Sequence, residues 1–112
     1  MLGLTINQIA LIDAKKQEFS VKECISRVAY KMGLHDILGT CREKEYVTAR
    51  IIAIYLIRKN TRMNLKEIGK VFNRDHSTII YNLRQYDALL QTKDKYFMSC
   101  LKKVYATTYQ IK

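Results

Sequence analysis

The sequence predicts an all-α fold, a compact bundle of five or six helices containing a helix-turn-helix. Three observations carry this. No proline interrupts any of the 112 residues. Every long segment reads helical, and all but the one over Tyr46–Lys59 open behind a capping residue. The one run that would suit a strand has no second strand to pair with. A hydrophobic fraction of 48% is enough for a core, and the length suits a single domain.

In chain order, Thr5 with Gln8 resembles a capping box opening a short helix to about Lys16, within an N-terminal arm of residues 1–19. The main domain is expected over residues 20–110. Ser20 with Glu23 makes a better box, followed by Val21, Cys24, Ile25, Val28, Ala29 and Met32 on one helical stripe. Gly33 stands where a left-handed residue ends that helix. Residues 34–43 read as a loop around Gly39. A helix over Tyr46–Lys59 then carries Ile51 to Ile57, apolar on most sides, as a central buried helix would be.

Asn64 with Glu67 caps a short helix bearing Leu65, Ile68, Val71 and Phe72. Asn73 and Arg74 form a tight break, and Asp75 caps the next helix, which turns Ile79, Ile80, Leu83, Tyr86 and Leu90 inward. Two short-linked helices of this size make a helix-turn-helix, and Gly69 lets them cross closely. Thr92 is expected to cap a last helix with Tyr96, Phe97, Cys100, Leu101, Val104 and Tyr105 on one face.

The formal net charge is +10, with 20 Lys and Arg against 10 Asp and Glu. It is unevenly spread: residues 1–41 carry a net +1, residues 42–84 carry +6 and residues 85–112 carry +3. An anionic partner is implied, nucleic acid first. The longest apolar run has seven residues, far short of a bilayer span, and no secretory leader is recognisable, so a cytoplasmic location without a membrane partner is expected. Cys24, Cys41 and Cys100 form neither a disulfide framework nor, with only His35 and His76, a zinc motif. No phosphate loop is present, so no metal, cofactor or nucleotide is expected. An enzyme built on His76 and Asp75 is rejected, because adjacent helical residues orient each other poorly.

A recognition helix meets the major groove with its first turn, here Arg74-Asp75-His76-Ser77-Thr78. His76 can donate to base acceptors, Ser77 and Thr78 can bond bases or phosphates, and Asp75 can accept from a cytosine amino group. Arg74 can take phosphate, and Asn82 and Arg84 lie one to two turns further along. Base reading is therefore expected of Asp75, His76, Ser77, Thr78 and Asn82. Backbone or minor-groove contact is expected of Arg42, Lys44, Thr48, Arg50, Arg62, Lys66, Lys70, Arg74 and Arg84. Tyr46, Tyr55, Tyr86, Tyr96 and Tyr105 read as core or core rim, and Lys93, Lys95, Lys102 and Lys103 as a solvated face.

The stretch Leu65-Lys66-Glu67-Ile68-Gly69-Lys70-Val71-Phe72, followed by Asn73-Arg74-Asp75-His76-Ser77-Thr78-Ile79, resembles the C-terminal DNA-binding domain of the DnaA family of bacterial replication initiators. The helix Arg50 to Arg58 is similar to that family's long central helix, and the resemblance runs from Val21 to Val104. It implies sequence-specific binding of double-stranded DNA, with Asp75, His76, Ser77 and Thr78 facing bases. On the same template Arg42, Lys44 and Arg50 belong to a basic loop and helix start on the backbone and the neighbouring minor groove.

The departures are specific. The family has two glycines where this chain has only Asn73, and Ser77 replaces the usual threonine. Thr48 falls where the family tends to place a minor-groove arginine. The family's ATPase module has no counterpart in these residues, which suggests a stand-alone relative from a mobile element. Two other readings stay open: a transcription regulator resembling the sigma-factor helix-turn-helix, and an adaptor binding an acidic protein.

Overall fold

The computed structural model describes residues 19–106, which form five α-helices: α1 (Val21–Lys31), α2 (Lys44–Asn60), α3 (Leu65–Phe72), α4 (His76–Thr92) and α5 (Lys95–Ala106). The expected helix between Thr5 and Lys16 lies outside the described residues. Among the described residues no strand occurs.

Local chemistry sets the ends of each helix. Ser20 accepts the backbone N–H of Glu23 at 3.1 Å, satisfying one of the donors that a helix start leaves open. Gly33, at φ +71°, closes α1 with the paired bonds of a Schellman motif: its own N–H reaches Tyr30 O and that of Leu34 reaches Ala29 O. In α3 the box is complete. Asn64 accepts from the N–H of Glu67, and the Glu67 carboxylate accepts from the N–H of Asn64, both at 2.8 Å.

Helix α2 starts at Lys44, two residues before the expected Tyr46. Residues 48–54 and Ile57 are all buried, because α1, α3, α4 and α5 each pack against it. That enclosure explains why its sequence shows no polar stripe over this stretch: there is no solvent side to keep polar. Its β-branched run is helical because burial on every side outweighs a propensity difference of a few tenths of a kcal/mol, roughly, per residue. Around it close Val28, Ile37, Ile68, Phe72, Ile79, Phe97 and Cys100, each almost fully buried.

An aromatic seam ties the bundle together. Tyr55 of α2 stacks on Tyr86 of α4 with ring centroids 3.7 Å apart, and Phe97 of α5 meets Tyr86 edge-on at 5.3 Å. The hydroxyls of Tyr86 and Tyr105 lie 3.0 Å apart. Each ring pair adds about 0.5–1.5 kcal/mol beyond the area it buries. Burial first, and then the shared hydrogen bond, push the Tyr86 phenol far above its usual range. Cys100 is buried, and desolvation raises the Cys24 thiol to about 11, so it stays protonated near neutral pH.

Two expectations at the far end are corrected. Thr92 does not cap the last helix. It ends α4, with its hydroxyl donating back to Ala88 O at 3.0 Å, and Lys93 takes the left-handed turn at φ +54°. Asp94 is the cap, accepting the N–H of Phe97 at 3.0 Å, since a carboxylate after the turn reaches donors that Thr92 cannot. Leu90 is 40% exposed rather than inward, because Leu89, three residues after Tyr86, takes the place on the inward face and packs against the core. No helix among the described residues is long and apolar enough to cross a membrane.

Candidate nucleic-acid interface

The turn between α3 and α4 depends on two residues. Asn73 takes the left-handed conformation at φ +56°, and its N–H returns to Lys70 O. The N–H of Arg74 then bonds Gly69 O at 2.8 Å. A Cβ built on Gly69 would stand 2.5 Å from Arg74 O, so the two helices cross this closely only over a glycine. One Asn in a left-handed turn thus does the work expected of two glycines.

Asp75 opens α4 by accepting both the N–H and the hydroxyl of Ser77, and these bonds hold its carboxyl below the usual range. The Asp75 and His76 side chains remain 71% and 50% exposed. His76 Nδ1 is 3.8 Å from the Asp75 carboxylate, too long for a hydrogen bond, so the imidazole can present a donor outward. The first turn of α4 is therefore a protruding edge of donors and acceptors.

That edge stands between two hollows. On one side, a hollow of about 550 Å³ is lined by Lys66, Gly69 and Lys70 of α3, Asn73 and Arg74 of the turn, and Asp75 and His76. On the other, a groove of about 700 Å³ separates α4 from the loop at 34–43. Leu38, Thr40 and Arg42 line it from the loop, Val47 and Arg50 from α2, and Thr78, Tyr81 and Asn82 from α4, with Asn73 and Arg74 at the turn. Each hollow thus joins base-reading candidates to cations.

The loop is held by two guanidinium groups. Arg50 donates from Nε to Ile37 O at 2.7 Å, and from Nη2 to Gly39 O and Cys41 O at 3.0 and 2.6 Å. Arg74 donates to Phe72 O and reaches across to Gly39 O at 2.8 Å. Both arginines converge on one carbonyl, which fixes the loop beside the first turn of α4. Desolvation, and then the charge of Arg74, lower the Arg50 pKa from its usual value.

These placements redistribute the expected roles. Arg50 is only 6% exposed, and its Nε and Nη2 are bonded to three carbonyls, so it holds the loop while lining the groove. Thr48 is likewise buried within the enclosed run of α2, and it lines neither hollow. Arg42 is the exposed cation on the loop. Lys44 lies over the Tyr96 ring at 4.5 Å, toward α5. Arg62 and Arg84 are exposed but line neither hollow.

Asn82 is 8% exposed and lines the groove from its α4 wall. Among the described residues its side-chain amide has no hydrogen-bond partner, yet no buried polar atom is left wholly enclosed and unsatisfied, so the amide opens to the groove. Leu38 and Val47, which also line the groove, carry no signal of a site in the sequence. A helix apolar on nearly every side gives no periodic signal for one outward-facing valine, and a lone loop leucine gives none at all. No group of three or more His, Cys, Asp or Glu suited to a metal ion occurs among the described residues.

The family described as the bacterial dnaA protein helix-turn-helix matches residues 20–85, more than half of the chain and the whole of α1 to α3 with the first turns of α4. The chain belongs to this family. Its DnaA relatives include the chromosomal replication initiator protein DnaA of Thermus thermophilus, 40% identical over 73 residues, which is 62% of this chain and 17% of the relative. The chromosomal replication initiator protein DnaA 2 of Protochlamydia amoebophila is 30% identical over 100 residues, 84% of this chain and 22% of the relative. The chain thus spans about a fifth of the length of these DnaA proteins. No solved structure matches it.

Proposed function

We propose that the chain binds double-stranded DNA sequence-specifically, with the first turn of α4 in the major groove, and that it serves replication initiation or its regulation. The observation that carries this reading is the first turn of α4, which raises Asp75 and His76 into solvent beside Lys66 and Lys70 in a helix-turn-helix of the DnaA family. Asp75 and His76 are the primary base readers, with Ser77 and Thr78 beside them. Ser77 keeps its oxygen lone pairs for a base amino group while its proton is held by Asp75. Lys66 and Lys70 take backbone phosphate on one side, and Arg42 reaches the backbone or minor groove on the other. Arg74 and Arg50 act by holding the loop beside that turn.

The experiment is selection of bound sequences from a random duplex pool, repeated with His76→Ala. The wild type should enrich one motif, and the variant should lose preference at one or two positions. Enrichment of no motif, or of the same motif at equal affinity by the variant, would defeat the reading. A protein adaptor would show neither a motif nor a steep salt dependence in the DNA titration.

A further inference from the structure

The groove between α4 and the loop is chemically unlike the rest of the edge. Its floor carries three exposed apolar side chains from three different elements: Leu38 at 37% exposure, Val47 at 38% and Tyr81 at 60%. The unpartnered amide of Asn82, more than nine-tenths buried, opens into it, and Arg42 stands at its rim. An apolar floor with a donor and a cation above it does not suit a bare phosphate run, nor does it suit a base edge rich in polar atoms. It suits an alternation of apolar sugar and anionic phosphate.

We infer that this groove seats one sugar-phosphate strand of the bound duplex, with Leu38, Val47 and Tyr81 packed on deoxyribose and Arg42 and Asn82 on the flanking phosphates, so that the site selects DNA by its missing 2′-hydroxyl. The inference rests on the proposed docking of α4. With that helix in the major groove and the loop on the neighbouring minor groove, the strand dividing the two grooves must pass between them. The wall of that passage is the groove lined by Val47 and Tyr81. A ribose there would press a hydroxyl against the Tyr81 ring and the Leu38 and Val47 methyls, while Arg42 and Asn82 are engaged by the flanking phosphates. Tyr81 is therefore a selectivity residue whose ring, not its hydroxyl, acts.

The test is a ribonucleotide scan of the selected duplex, one 2′-hydroxyl per duplex, moved along both strands and titrated against the full chain. A single ribonucleotide leaves the duplex largely B-form, so the local contact is what is read. Two or three consecutive positions on one strand should weaken wild-type binding about tenfold. Tyr81→Ser should level the scan to within about twofold while weakening all-DNA binding, and Tyr81→Phe should keep the penalty. Tyr81 is exposed enough for both variants to fold. A flat scan with tight all-DNA binding would overturn the inference and leave the recognition helix standing. So would Tyr81→Phe behaving like Tyr81→Ser, or a penalty that follows thymine-to-uracil exchange rather than the 2′-hydroxyl. Absence of any selective duplex binding would instead fail the docking of α4, and this inference with it.

Discussion

Arg50 illustrates how far a charge count and a charge's role can diverge. In the sequence it is one of ten cations in the basic middle segment, while in the fold its fork spans the carbonyls of Ile37, Gly39 and Cys41. Nothing in its spacing announces this, because the carbonyls come from a loop whose path only the packed bundle defines. Arg50→Met should therefore cost about 3 kcal/mol by leaving buried acceptors unpaired. For a domain of this size the thermal midpoint should fall by roughly 10 °C or more. Arg50→Lys should recover little, since one ammonium cannot serve three separated carbonyls. A wild-type midpoint with a reduced salt slope would make Arg50 a phosphate ligand after all. Asp75 titrates in the opposite sense to a basic group. Its folded pKa is depressed by Ser77, so its contribution is complete above the unfolded carboxyl value and is lost as pH falls through the folded one. Thermal melts from pH 5 down should show wild type losing more stability than Asp75→Asn, which caps without a charge. Parallel curves for the two proteins would contradict the role assigned to the carboxylate.

At the scale of elements, the parts legible in the sequence were those fixed by local chemistry. The caps at Ser20, Asn64 and Asp75, the stop at Gly33 and the break at Asn73 each act within a few residues, and each stands where the pattern put it. The corner after α4 was misread because Thr92 and Asp94 are both good capping residues, and the choice depends on which residue takes the left-handed turn. The groove was largely hidden for a different reason: Leu38, Val47 and Tyr81 come from three elements, and no local rule brings them together. The α3–α4 crossing yields the sharpest test at this scale. Gly69→Ala should destabilise the protein by about 1–3 kcal/mol, because the new methyl meets the backbone carbonyl of Arg74 rather than a side chain that can swing away. Asn73→Gly should be neutral or slightly stabilising, and Asn73→Ala should cost about 1 kcal/mol for its left-handed backbone. Chemical denaturation of the three variants checks the order. A tolerated Gly69→Ala would mean that the two helices can part without loss.

Across the whole molecule, the net +10 divides into charges with different duties. Arg50 and Arg74 are bonded to loop carbonyls, Lys44 lies over Tyr96, and Lys95, Lys102 and Lys103 are exposed on α5. Those left beside the first turn of α4 are Lys66, Lys70 and Arg42, flanking a reading edge that itself carries no net positive charge. Attraction and discrimination are thus assigned to different side chains, and salt separates them. Each lost phosphate contact should lower the slope of log affinity against log salt by about 0.9. Lys66→Gln with Lys70→Gln should therefore flatten the slope by nearly two and weaken selected and scrambled duplexes alike. His76→Ala should leave the slope intact while bringing the two duplexes closer in affinity, because it removes a base contact and no phosphate contact. Lys102→Gln with Lys103→Gln, on the exposed face of α5, should shift affinity slightly and the slope not at all. If the α5 pair flattened the slope as much as the α3 pair, the duplex would have to lie across α5, and α4 could not be the helix that reads it.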